Sequence, residues 1–177
     1  MKIVKRILVF LVALVAGFAV VGFFLPARYH VERSTTVSAP PEKVFAIASD
    51  FRTWEDWTAW NLKMDPTMKR TFAGPATGVG AAVSWDGQKS GQGEMKLTQV
   101  TAPTEFTYDL AYEHGQFKSV GTMRFEASGN GTTVVWTDDG DMGGNPFYRW
   151  MGLAMDKFIG PDFAKGLEGL KALAERK

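Results

Sequence analysis

From Ile7 to Leu25 the chain runs ILVFLVALVAGFAVVGFFL, 19 residues without a charge, an amide or a hydroxyl. A helix that is apolar all round has no polar face for water, so this segment does not read as a surface helix of a soluble fold. It would cover about 28 Å at roughly 1.5 Å per residue, close to the roughly 30 Å hydrocarbon core of a bilayer. Lys2, Lys5 and Arg6 precede it, and Arg28 alone follows closely. That asymmetry predicts a cytoplasmic N-terminus and an exported C-terminal part, with residues 7–25 in the membrane. The reading is a retained single-pass anchor over residues 1–27. The alternative is a cleaved secretory signal, whose apolar region is ordinarily about 7 to 15 residues long and ends at a small-x-small site. Here a longer run leads into Leu25-Pro26-Ala27.

Removing this segment changes the charge balance. Three of the 20 basic residues and none of the 19 acidic ones precede it, so the remainder sits near −2. Without a concentrated basic face, nucleic acid is not an expected partner. The chain has no cysteine, which excludes disulfides, thiolate metal sites and cysteine nucleophiles. No cofactor or metal is expected. An exported, cysteine-free part behind an anchor fits a bacterial envelope.

Residues 28–177 have the length of one domain. Tyr29–Ser38 alternates like a strand and stops at Ala39-Pro40-Pro41. A helix should follow, with Pro41 in its first turn, Glu42 at its positive end, and Val44, Phe45, Ile47 and Ala48 as its apolar stripe. Phe51–Trp60 suggests a second short helix that spreads Trp54, Trp57 and Trp60 over about 120° of one face. Six further strands are expected at 68–73, 81–86, 93–100, 106–112, 118–126 and 132–138, with Ser128-Gly129-Asn130-Gly131 as a hairpin turn. Pro146–Lys177 has helical spacing, with a kink expected at Gly160-Pro161. The class is α+β: a seven-stranded antiparallel sheet whose apolar face only the long C-terminal helix can cover.

This order of elements resembles the helix-grip fold of the START-like or SRPBCC superfamily, in its polyketide cyclase/dehydrase branch. The resemblance is carried by Ala39-Pro40-Pro41-Glu42-Lys43-Val44-Phe45, Asp50-Phe51-Arg52-Thr53-Trp54 and Trp57-Thr58-Ala59-Trp60. Further along it rests on Gly74-Pro75-Ala76-Thr77-Gly78-Val79-Gly80, Gly91-Gln92-Gly93-Glu94-Met95, Gly131-Thr132-Thr133-Val134-Val135-Trp136, and the segment from Met151 to Lys171. It implies an apolar ligand held between sheet and last helix. In a minority of members it implies cyclisation or dehydration. Fold-level likeness licenses a cavity, whereas a reaction has to be argued from a site.

The expected lining comprises Trp85, Met95, Phe106, Tyr108, Met123 and Trp136 from the strands. Trp57, Trp60, Met151, Met155 and Phe158 complete it from the helical segments. The alternative for each is that it fills a solid core. Among groups able to move a proton, Tyr108, His114 and Asp138 are the candidates. Glu94 is out of phase with Met95 and Leu97 and should face solvent, and His114-Gly115 looks like a turn. Asp138-Asp139-Gly140-Asp141 lacks the ligand spacing of a calcium loop. Gly78-Val79-Gly80 precedes a strand rather than a helix, so it is no dinucleotide fingerprint.

The expected function is binding or carriage of a hydrophobic small molecule or lipid by a membrane-tethered domain. A polyketide cyclase or dehydratase is the second reading. A non-catalytic interaction module with a filled core, docking through an apolar patch around Trp54, is the third.

Overall fold

The computed structural model describes residues 2–176. It opens on α1 (Lys2–Phe24), which is long and apolar enough to cross a membrane. Then follow β1 (Arg28–Val37), α2 (Pro41–Ala48), a 3-10 turn (Phe51–Thr53) and α3 (Trp54–Trp57). The strands β2 (Lys69–Ala73), β3 (Ala82–Gly87), β4 (Gly91–Thr101), β5 (Glu105–Tyr112), β6 (Phe117–Ser128) and β7 (Gly131–Asp141) come next. The last elements are α4 (Pro146–Gly152) and α5 (Met155–Ala174). The strands form one antiparallel sheet in the order β1-β7-β6-β5-β4-β3-β2. This is the helix-grip architecture, with β1 closing against the last strand through its full length.

Local chemistry accounts for the elements. Pro41 occupies the first helical position of α2, where its missing N–H costs nothing, and Val44, Phe45 and Ala48 turn inward. Asp50 caps the 3-10 turn by accepting from the Arg52 N–H at 2.9 Å. In α5 the residues Phe163, Leu167 and Leu170 are buried against the sheet, each contributing roughly 1.5–3 kcal/mol.

Two expectations are corrected. The helix carrying the tryptophans ends at Trp57, because Thr58 adopts an extended backbone and its hydroxyl donates to the Trp54 carbonyl at 2.7 Å. Trp60 therefore lies beyond the helix. All three indoles still converge on Trp136, at ring separations of 5.6, 5.6 and 6.1 Å. Trp54 is buried and donates to the Ala48 carbonyl, so it forms no exposed patch for a partner.

The second correction concerns the C-terminal helix, which breaks at Leu153–Ala154 and runs unbroken through Pro161. Proline removes one backbone donor, that to the Lys157 carbonyl, and both residues lie on the exposed side where water replaces it. Gly160 holds the segment against β1. A side chain there would collide with the Arg33 guanidinium, which crosses α5 to reach Asp156 at 2.7 Å.

The core divides along the strands. At one end of the sheet Phe45 of α2 packs edge-on against Phe106 and Phe125, at 5.9 and 5.4 Å. In the middle Trp136 stacks on Phe163 at 4.1 Å. Toward the other end the packing stops and a space opens.

Candidate functional site

The space is a cavity of about 540 Å³ between the far end of the sheet, the residues just after α3, and the junction of α4 with α5. Its floor follows from strand register. Tyr108 pairs across to Gly121, and Tyr29 pairs across to Gly140. A side chain at either glycine would collide with the ring opposite it, so each tyrosine lies flat over a bare stretch of backbone. Each hydroxyl has its own partner: Tyr29 donates to Asp138 Oδ2 at 2.9 Å, and Tyr108 accepts from Trp136 Nε1 at 3.0 Å. Ser119 completes the group with a side-chain hydrogen bond to Asp138.

The remaining wall is soft. Six of the eight methionines, Met64, Met68, Met95, Met142, Met151 and Met155, line the cavity, with Trp60, Trp85, Leu110, Phe117 and Ile159 among them. Unbranched thioethers adapt to a ligand's shape at small rotamer cost. Arg70, Lys89, Lys118 and Asp162 supply charge on the same lining. Arg70 is held by Glu55 at 2.8 Å.

Of the expected lining, Trp60, Trp85, Met95, Tyr108, Met151 and Met155 border the cavity. Trp57, Phe106, Met123 and Trp136 do not. They are buried in the packed part of the core, one or two residue rows further along the sheet or behind Trp54. Phe158 points outward and is 60% exposed. Among the titratable candidates, Tyr108 and Asp138 are brought together, whereas His114 sits exposed in the β5–β6 turn with a positive φ of 57°. Glu94 faces solvent as expected. The carboxylates of the Asp138-Asp139-Gly140-Asp141 run go to separate partners: Tyr29, His30 and the Gly143 N–H. Among the described residues no group of three His, Cys, Asp or Glu side chains is placed to hold a metal ion.

The sequence reading missed Tyr29 and Ser119 of the polar group, and Met64, Met68, Leu110, Phe117, Met142 and Ile159 of the apolar wall. Tyr29 is in phase with buried Val31, so the alternation of β1 already put it on the inner face. The signal for the floor was glycine at an inward strand position, which marks close approach of another group.

The sequence matches the family described as polyketide cyclase / dehydrase and lipid transport over residues 28–175. The chain belongs to this family. Comparison with curated proteins gives no significant match. Among solved structures, a structural-genomics protein from Chromobacterium violaceum superposes with a TM-score of 0.61 at 14% identity, covering 84% of this chain and 99% of that one. The di-domain aromatase/cyclase BexL of the BE-7585A biosynthetic pathway gives 0.61 at 14%, over 85% of this chain and 51% of that one. StfQ, a di-domain aromatase/cyclase of the steffimycin pathway, gives 0.64 at 9%, over 84% and 51%. The chain spans about half the length of each di-domain protein. These likenesses concern the fold.

Electrostatics set the state of the polar group in the cavity. Burial pushes the Asp138 carboxyl above the usual range, and the hydrogen bonds from Ser119 and Tyr29 only partly offset this. Burial and the neighbouring Asp138 also push both phenols up, so Tyr29 and Tyr108 stay protonated. A carboxyl with a raised folded-state pKa contributes stability that is full below its unfolded value of about 3.9 and is lost as pH rises through the folded value. Asp138→Asn keeps the shape of the neutral acid and removes that loss. Urea unfolding across pH 4 to 7.5 is therefore expected to show Asp138→Asn gaining on the wild type as pH rises. A gap that closes instead would mean that the anion is the stabilised form.

Proposed function

We propose that the domain binds or carries one hydrophobic small molecule with a polar end, a lipid or lipid-like compound, while α1 tethers it to a membrane with the domain on the exported side. The observation that carries this reading is the cavity: largely apolar and methionine-rich, with the polar group of Asp138, Tyr29, Tyr108 and Ser119 on its floor and Arg70, Lys89, Lys118 and Asp162 as its charged lining. Its volume falls within the roughly 300–1,000 Å³ of sites that hold one drug-sized ligand. The Asp138 carboxyl and two phenols can donate and accept toward a ligand hydroxyl or carbonyl, and the thioethers fit a flexible hydrocarbon. Lys2, Lys5 and Arg6 in the first turns of α1 support the orientation.

Solvent extraction of the purified full-length protein, followed by mass spectrometry, tests this. A hydrophobic molecule is expected near one equivalent, replaceable by fatty acids, quinones or aromatic polyketides. An empty protein that takes up none of these would overturn the reading.

The clustering of Asp138, Tyr29 and Tyr108 on the cavity surface favours one alternative, a cyclase or dehydratase in which the buried carboxyl moves a proton. In that case Asp138→Asn loses turnover while binding survives.

A further inference from the structure

The second surface of α4 is not used by the cavity. Met151 of this helix and Met155 just beyond it line the cavity, but Phe147 and Trp150 turn the other way, onto α1. Trp150 stacks on Phe18 at 4.5 Å and 12°, and its Nε1 donates to the Phe18 carbonyl at 3.1 Å. Pro146 packs so closely on Gly22 that a side chain there would collide with it, and Gly22 is the buried residue of α1. Arg149 Nη1 donates to the carbonyls of Phe23 at 2.7 Å and Leu25 at 3.3 Å, holding α4 beside the C-terminal end of α1.

Depth follows from the helical rise. Phe18 precedes Leu25 by seven residues, about 10 Å along the helix axis. If residues 7–25 fill a hydrocarbon core of roughly 30 Å, a ring stacked on Phe18 lies inside the adjoining leaflet and not above it. The outward surface agrees in chemistry. Phe147 is 46% and Leu153 53% exposed, and Phe147 lies 5.9 Å from Phe18 of α1. An indole at the edge of such a patch is what an interfacial segment presents to the headgroup region. The apolar face is continuous with the spanning helix.

We propose that α4 lies beside α1 within the exported-side leaflet, immersed in the boundary between headgroups and acyl chains, so that the helix closing the cavity has bilayer lipid behind it. This rests on the tethering reading above. The wall formed by Met151 and Met155 is then the one a membrane-dissolved ligand meets first, and the Leu153–Ala154 break is where Met151 on α4 can part from Met155 on α5.

The cysteine-free sequence makes the test direct. Single-cysteine variants Phe147→Cys and Leu153→Cys, with Val12→Cys in the span and Glu126→Cys at the far hairpin, are labelled with an environment-sensitive fluorophore. The full chain is then reconstituted in phosphatidylethanolamine–phosphatidylglycerol vesicles carrying nitroxide lipids. Labels at 147 and 153 are expected to be quenched by nitroxide at least about threefold more than the label at 126, and to resist aqueous iodide, as an immersed helix requires. If they follow iodide while the label at 12 stays lipid-quenched, the proposal fails and the tether stands. A label at 12 that behaves like the one at 126 overturns both. Labels at 147 and 153 shielded from both quenchers would mean a protein partner or a second copy covers α4, which also overturns the proposal.

Discussion

Trp136→Ala is expected to lower stability by about 4 kcal/mol, among the larger losses for emptying a core site. The side chain is 0% exposed and touches three layers at once. It stacks on Phe163 of α5, meets Trp54 and Trp57 of α3 together with Trp60, and donates to Tyr108, two strands away on the same face of the sheet. α5 also passes close by, because a side chain at Gly166 would stand 3.0 Å from the indole. The hole left by alanine is flanked by rings that cannot all move inward. For a domain of this size the loss corresponds to a Tm lowered by roughly 8–16 °C. Trp136→Phe should recover most of it, leaving a deficit of about 1 kcal/mol from the hydrogen bond to Tyr108. Thermal unfolding of the full chain in detergent measures both. Near-equal stability of wild type and Trp136→Ala would mean that the sheet and α5 are held together elsewhere.

Filling the cavity should have the opposite signature. Leu110 lies on the sheet side and Met155 on the helix side of the space, so Leu110→Trp and Met155→Trp each add bulk to empty volume without touching the packed rows around Phe106. Overpacking a filled core would cost about 1–3 kcal/mol; here Tm should stay near the wild-type value. Ligand uptake should fall at least about tenfold, a loss of roughly 1.4 kcal/mol. Measuring Tm and uptake on the same preparation separates the outcomes. Large destabilisation with unchanged uptake would show that the space is closed in solution and the ligand sits elsewhere.

The fold was legible because its signals are local. Alternation in Phe106, Tyr108, Leu110 and Tyr112 identifies one face of β5 without any partner being known. Pro41 and Glu42 mark the start of α2 in the same way. Position along the strand was not legible. Phe106 and Leu110 share a face and a period, but Phe45 packs over the first and leaves the second bare, and that difference is decided by a helix some sixty residues earlier in the chain. This is why Phe106, Met123 and Trp136 could not be told from Tyr108 and Met95 by pattern. Pro161 shows a local rule overridden by tertiary context, since α5 is held through Arg33 and Asp156 on one side of it and Phe163 on the other. The Tyr29–Asp138 contact joins the first strand to the last, a sequence separation of 109 residues, and no spacing rule reaches that far.

The two bare glycines beneath Tyr108 and Tyr29 also bear on how the cavity could diversify. Its depth is recorded at positions that own no side chain, so a single methyl at residue 121 or 140 would lift a phenol toward the open space, taking the Tyr108 hydroxyl from Trp136 in the first case and the Tyr29 hydroxyl from Asp138 in the second. The shape of the space in descendants of this chain can thus change abruptly through substitutions that never border it, while the methionine wall supplies the gradual adjustment.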